Sequence, residues 1–122
     1  MSISPRAASL AKRVLVVDDD QDMRNVLEDV LRYEGYLVSS AANGSQALAE
    51  AHREPPQLIL LDLMMPVMSG WQFRAAQLLD PVLSKVPVVV MSTFAPEMSV
   101  AGLLPKPFQL GDVLDTVRRL TA

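Results

Sequence analysis

The sequence predicts an α/β fold: a doubly wound parallel sheet with helices on both faces. Short apolar runs, several of them β-branched, alternate along the chain with amphipathic stretches. Within the runs there is little polar alternation, as expected of strands covered on both sides. The chain has 122 residues, half of them hydrophobic, which suits one domain with a sizeable core.

The elements follow in order. Val14–Val17 is an all-apolar, mostly β-branched run and reads as the first strand. Asp20 is placed to cap a helix, which Met23, Val26, Leu27, Val30 and Leu31 continue at helical spacing up to a stop at Gly35. Tyr36–Ala41 reads as strand two. The stretch NGSQALAEAHRE supplies a turn and a short helix, ended by Pro55 and Pro56. Leu58–Leu63 is the most apolar strand and therefore central. MPVMSG is a loop, Trp71–Leu79 a third helix, Pro87–Met91 a fourth strand and Gly102–Leu104 a weak fifth. Leu110, Val113, Leu114, Val117 and Leu120 mark a final amphipathic helix.

Bulk composition excludes several classes. A net charge of -3 does not suit a nucleic-acid surface, which needs clustered Lys and Arg. Without cysteine there is neither a disulfide framework nor a thiolate metal site. The opening MSISPRAASLAKR has basic residues but no apolar core of a secretory signal. No run approaches the roughly 20 apolar residues that span a bilayer. The expectation is a cytoplasmic protein with no membrane partner, with residues 1–12 as a flexible tail and 13–122 as the folded domain.

In a parallel α/β sheet the functional crevice lies beyond the carboxyl ends of the strands. Asp18, Asp19 and Asp20 end strand one, Asp62 stands near the end of strand three, Ser92 and Thr93 follow strand four, and Lys106 follows strand five. Four strand ends thus bring polar groups to one rim. Converging carboxylates need compensation, and Mg²⁺ prefers such oxygen ligands and often shares them with phosphate. A carboxylate nucleophile at Asp62, a lysine charge at Lys106 and a hydroxyl at Ser92 would serve in-line phosphoryl transfer through an acyl phosphate. Asp20 reads as a helix cap rather than a ligand. His52 reads as a solvated surface residue, Met64, Met65 and Met68 as loop packing, and Trp71 as partly exposed.

At VLVVDDD, LLDLMMPVMSG, VVVMS and PKPF, taken in this order, the chain resembles the receiver domain of two-component response regulators over residues 13–120. The resemblance implies a five-stranded, flavodoxin-like sheet in order 2-1-3-4-5. It implies Asp62 as phosphoacceptor for a sensor histidine kinase or a histidine phosphotransfer protein, with an unidentified downstream protein. It implies Mg²⁺ held by Asp18, Asp19, Asp62 and the Met64 backbone carbonyl, with Ser92 as the switch hydroxyl, Lys106 contacting phosphate, and a cis Lys106–Pro107 bond. Such a domain is regulatory rather than an enzyme.

Three departures from the family pattern stand out. Only 13 residues separate Ser92 from Lys106, with Pro96 among them, so the helix on that crossover, the family's fourth, is expected to be one turn or missing. The family commonly has an aromatic residue where Leu103 stands. Thr93 is bulkier than the family's usual Ala or Gly, which predicts narrower access for phosphodonors, and Met64 and Phe94 are apolar at positions that in the family influence an attacking water, which predicts slow loss of phosphate.

Two other functions compete. An aspartyl phosphatase would need an acid/base aspartate two residues after Asp62, where Met64 stands. An atypical receiver used as a phosphorylation-independent interaction module would draw no benefit from the acidic rim. The last helix ends close to Ala122, so the expectation is a stand-alone regulator or a receiver portion of a larger protein such as a hybrid kinase.

Overall fold

A computed structural model of the protein describes residues 11–122. Five strands and four helices follow one another in it, alternating except that β5 comes directly after β4: β1 (Arg13–Val17), α1 (Gln21–Tyr33), β2 (Leu37–Ala41), α2 (Gly44–Arg53), β3 (Leu58–Asp62), α3 (Gly70–Leu79), β4 (Val88–Ser92), β5 (Gly102–Pro105) and α4 (Leu110–Thr121). The strands form one parallel sheet in the order β2-β1-β3-β4-β5. The tail expected over 1–12 falls largely outside the described residues. Lys12 is already tied to the sheet, because its carbonyl accepts the Leu37 N–H at 2.9 Å.

Burial on both faces explains the unbroken apolar runs. In β1, Leu15 and Val17 enter a core layer with Ala47 and Ala51 of α2 and Phe73 of α3. The alternate residues Val14 and Val16 enter a second layer with Leu27 and Leu31 of α1 and Val113 and Val117 of α4. In the inner strands β1, β3 and β4 nearly every residue is therefore core for one layer or the other, whereas the edge strands β2 and β5 are largely open. No helix among the described residues is long and apolar enough to cross a membrane.

The helix ends follow local chemistry. Asp20 caps α1, accepting the N–H groups of Asp22 and Met23 at 2.9 and 3.3 Å. At its other end Gly35 takes φ +96°, and the N–H groups of Gly35 and Tyr36 return to the carbonyls of Arg32 and Leu31. Asn43 caps α2 through the Gln46 N–H, and Ser69 with Gln72 forms a reciprocal capping box on α3.

The β4–β5 crossover differs from the others. Residues 93–101 make bends and extended chain with no helical turn. A fourth helix does exist in chain order, and α4 is full length, but it follows β5 rather than preceding it. The expectation of a shortened or missing fourth helix therefore needs restating: it concerns this crossover alone. Met98 and Val100 pack on the core layer in its place. Arg74 of α3 fastens the segment, and Gln77 holds Arg74 in place. Arg74 donates to the Ser99 carbonyl at 2.8 Å and to Gln77 Oε1 at 2.7 Å, and the buried Gln77 amide donates to the Leu83 and Val86 carbonyls.

Candidate functional site

The ends of β1, β3, β4 and β5 meet at one rim, as the strand order requires. Asp62 is the last residue of β3 and pairs with Met91 of β4. Asp18, directly after β1, is fully buried, and Asp19 is exposed. One carboxylate oxygen from each of Asp18, Asp19 and Asp62 lies within 4.8 Å of the others.

Asp18 has every polar atom engaged. Its N–H donates to the Ala41 carbonyl at 3.1 Å, and its Oδ1 accepts the Asp20 N–H at 2.9 Å. Its Oδ2 accepts the Lys106 ammonium at 3.0 Å, and its carbonyl accepts Arg24 Nη1 at 2.7 Å. Lys106 therefore favours Asp18, with Asp62 Oδ1 further off at 3.8 Å. The Lys106–Pro107 peptide is cis.

Burial pushes the Asp62 carboxyl up to about 6. The Asp18 carboxylate acts in the same direction, and Asp19 adds to it, while Lys106 and the Met64 N–H pull down. The Met64 N–H reaches Asp62 Oδ1 at 3.4 Å. Three acids thus face one ammonium group. A hard cation fits this oxygen-rich donor set, because it would offset charge that Lys106 alone leaves uncompensated.

Ser92 is 3 % exposed at the end of β4, and its Oγ accepts the Phe94 N–H at 3.1 Å. Met64, expected among the packed methionines, is exposed, whereas Met65 and Met68 pack on the core. His52 is half-exposed as expected, but it also pairs with Asp80 at 2.5 Å.

The sequence reading missed three contributors. Arg24 holds the β1–α1 turn from α1, and nothing local distinguished it from a surface arginine. Gly70 approaches the acidic strand end so closely that a Cβ there would lie 2.4 Å from the Asp62 carbonyl oxygen. The loop motif ending in Ser-Gly was the available signal. Trp71 stacks on Phe94, with ring centroids 5.9 Å apart and planes inclined by 18°.

Comparison with known proteins agrees with this arrangement. The family model described as "Response regulator receiver domain" matches residues 14–118. The transcriptional regulatory protein PrrA of Mycobacterium tuberculosis is 40 % identical over 116 aligned residues, covering 88 % of this chain and 49 % of PrrA. The chain thus spans about half the length of that relative. Sporulation initiation phosphotransferase F of Bacillus subtilis is 30 % identical over 117 residues, covering 88 % of this chain and 92 % of that protein. Chemotaxis protein CheY4 of Vibrio cholerae superposes with a TM-score of 0.84 at 30 % identity, over 90 % of this chain and 98 % of CheY4. The receiver domain of sensor histidine kinase PA1611 from Pseudomonas aeruginosa, solved with magnesium in its active-site cleft, gives 0.83 at 25 % identity, over 91 % of this chain and 98 % of that domain. From the fold, the acidic rim and these likenesses together, the chain belongs to the response regulator receiver domain family.

Proposed function

We propose that this receiver domain accepts a phosphoryl group on Asp62 from a phosphohistidine donor, carried by a sensor histidine kinase or a histidine phosphotransfer protein. The observation that carries this reading is the convergence of Asp18, Asp19 and Asp62 oxygens within 4.8 Å, with Lys106 Nζ 3.8 Å from Asp62. An Asp62 carboxylate oxygen attacks phosphorus. The new P–O bond forms as the donor P–N bond breaks, and the departing imidazole takes up a proton.

Asp18, Asp19, Asp62 and the Met64 carbonyl are the proposed holders of Mg²⁺. When bound, the ion supplies charge compensation for the acids and the phosphoryl oxygens. Lys106 places a point charge beside the incoming group. The Ser92 hydroxyl is poised to donate to one phosphoryl oxygen, and burial of Asp62 excludes competing water from its nucleophilic oxygen. The domain acts as a regulated acceptor rather than a turnover enzyme, in the cytoplasm, and passes its state to a downstream protein.

Intact mass after incubation with Mg²⁺ and acetyl phosphate tests the reading. Wild type gains one phosphoryl mass, and Asp62→Asn gains none. A wild type that stays unmodified, or a variant modified equally, would overturn it.

A further inference from the structure

Three hydrogen bonds hold the chain where β1 passes into α1. The Asp18 N–H donates to the Ala41 carbonyl at 3.1 Å, the Asp20 N–H donates to Asp18 Oδ1 at 2.9 Å, and Arg24 Nη1 donates to the Asp18 carbonyl at 2.7 Å. The first is a main-chain bond to the adjacent strand, and the second closes within the turn. The third comes from a side chain on α1. It is the shortest of the three, and it carries charge. Arg24 stands at the start of α1, where its own N–H donates to the Asp20 carbonyl at 3.0 Å. A cation there opposes the helix dipole, so helix stability does not account for the residue.

The peptide that Arg24 grips joins Asp18 to Asp19. Asp18 is buried, with its carboxylate already engaged by Lys106 and the Asp20 N–H. Asp19 is exposed, so packing does little to direct its side chain. Its carboxylate takes its direction from the backbone that carries it, and Arg24 fixes that backbone. We propose that Arg24 is a positioning residue for the metal site: by holding the Asp18 carbonyl it sets how Asp19 presents its oxygens to a divalent cation. This rests on the reading of Asp18, Asp19 and Asp62 as holders of Mg²⁺. The ion demands near-ideal octahedral geometry, so a ligand left free to swing binds it weakly.

The guanidinium also has an opposing effect. Its charge repels a cation at the rim, and removing that charge alone would tighten Mg²⁺ binding. Arg24 is partly in contact with water, so solvent and salt screen the repulsion to a small factor. Losing a group that orients a metal ligand costs roughly 10–100-fold in metal affinity. Positioning therefore wins, and the sign of the change identifies it.

Calorimetric titration of the protein with MgCl₂ alone is the test. Arg24→Met should bind Mg²⁺ roughly tenfold more weakly than wild type. Arg24→Lys keeps the charge but lacks the planar fork, so its affinity should fall between the two. In intact-mass time courses with acetyl phosphate, Arg24→Met should react slowly at limiting Mg²⁺ and at the wild-type rate at saturating Mg²⁺. General damage to the fold does not give that recovery. Equal or tighter Mg²⁺ binding in Arg24→Met, wild-type affinity in Arg24→Lys, or a rate deficit that saturating Mg²⁺ leaves in place each overturns the role of Arg24. No Mg²⁺ uptake by wild type overturns the metal reading and this role with it.

Discussion

The Lys106 ammonium is bonded to Asp18 at 3.0 Å, closer than its 3.8 Å approach to Asp62. Asp18 is fully buried, so this ion pair compensates a charge that has no access to water. Lys106→Met leaves that carboxylate unpaired and should lower unfolding free energy by about 1–3 kcal/mol, read by urea denaturation. Asp18→Asn in the same background should recover part of the loss. Additive effects in the double variant would show that the pair is not coupled.

Asp62 titrates near 6 in the fold, above its ordinary 3.8. The folded state therefore binds this proton more tightly than the unfolded chain does. Its contribution favours the fold at low pH and is withdrawn as pH rises through about 6. Asp62→Asn should raise stability at pH 7 by on the order of 1–2 kcal/mol and flatten the pH dependence between 4 and 7. Thermal melts across that range check both. A variant less stable than wild type at pH 7 would contradict the assigned sign.

Val67 adopts φ +68°, the left-handed region that a β-branched side chain disfavours, and it is 84 % exposed. Val67→Gly removes the strain while adding freedom to the unfolded chain, for a net gain of about 0.5–1 kcal/mol. Gly70→Ala does the opposite. Its Cβ meets the Asp62 carbonyl oxygen and Leu63 Cα at 2.4 and 2.7 Å, which are backbone atoms that cannot yield locally. A loss of about 2 kcal/mol or more is expected, with reduced phosphorylation of Asp62.

The Asp80 carboxyl is held below its ordinary value, first by the His52 hydrogen bond, with the Val82 and Leu83 N–H groups helping. Its contribution is full above the ordinary value of 3.8 and is lost as pH falls below it. His52→Ala should lower stability at neutral pH and make the acid loss shallower. Asp80→Ala, which also removes the turn cap, should be the more damaging of the two. Urea midpoints at pH 3 and 7 discriminate.

Met64 and Phe94 border the rim with exposed apolar side chains, 66 % and 44 %. Neither can orient a water by a hydrogen bond, so the acyl phosphate should decay slowly. Met64→Asn should speed decay by roughly tenfold, which corresponds to about 1.4 kcal/mol of barrier. Mass spectrometry after removal of the donor gives both rates, and equal rates would reject the idea.

The inner strands β1, β3 and β4 were legible because each is buried on two faces, which forces apolar runs such as Leu58–Leu61. The order of the sheet came from the family likeness, since no single strand encodes its neighbour. Strand ends placed Asp18, Asp62, Ser92 and Lys106 together, because topology alone puts them on one rim. What the sequence did not reveal were pairings between residues far apart in the chain: the preference of Lys106 for Asp18, the His52–Asp80 bond, and Arg74 reaching Ser99. Each is decided by side-chain reach across packed elements, which periodicity does not report. Strand ends shifted by a residue, as Ser92 joined β4 and Asp62 closed β3.

Where other crossovers are shaped by a repeating ladder of main-chain bonds, residues 93–101 owe their course to Arg74, the Phe94–Trp71 stack, Met98 and Val100. A conformation specified by so few groups is inexpensive to redraw. One or two substitutions could give this margin of the molecule a different outline while the remaining architecture stays intact, so related chains can diverge here in what they recognise without refolding.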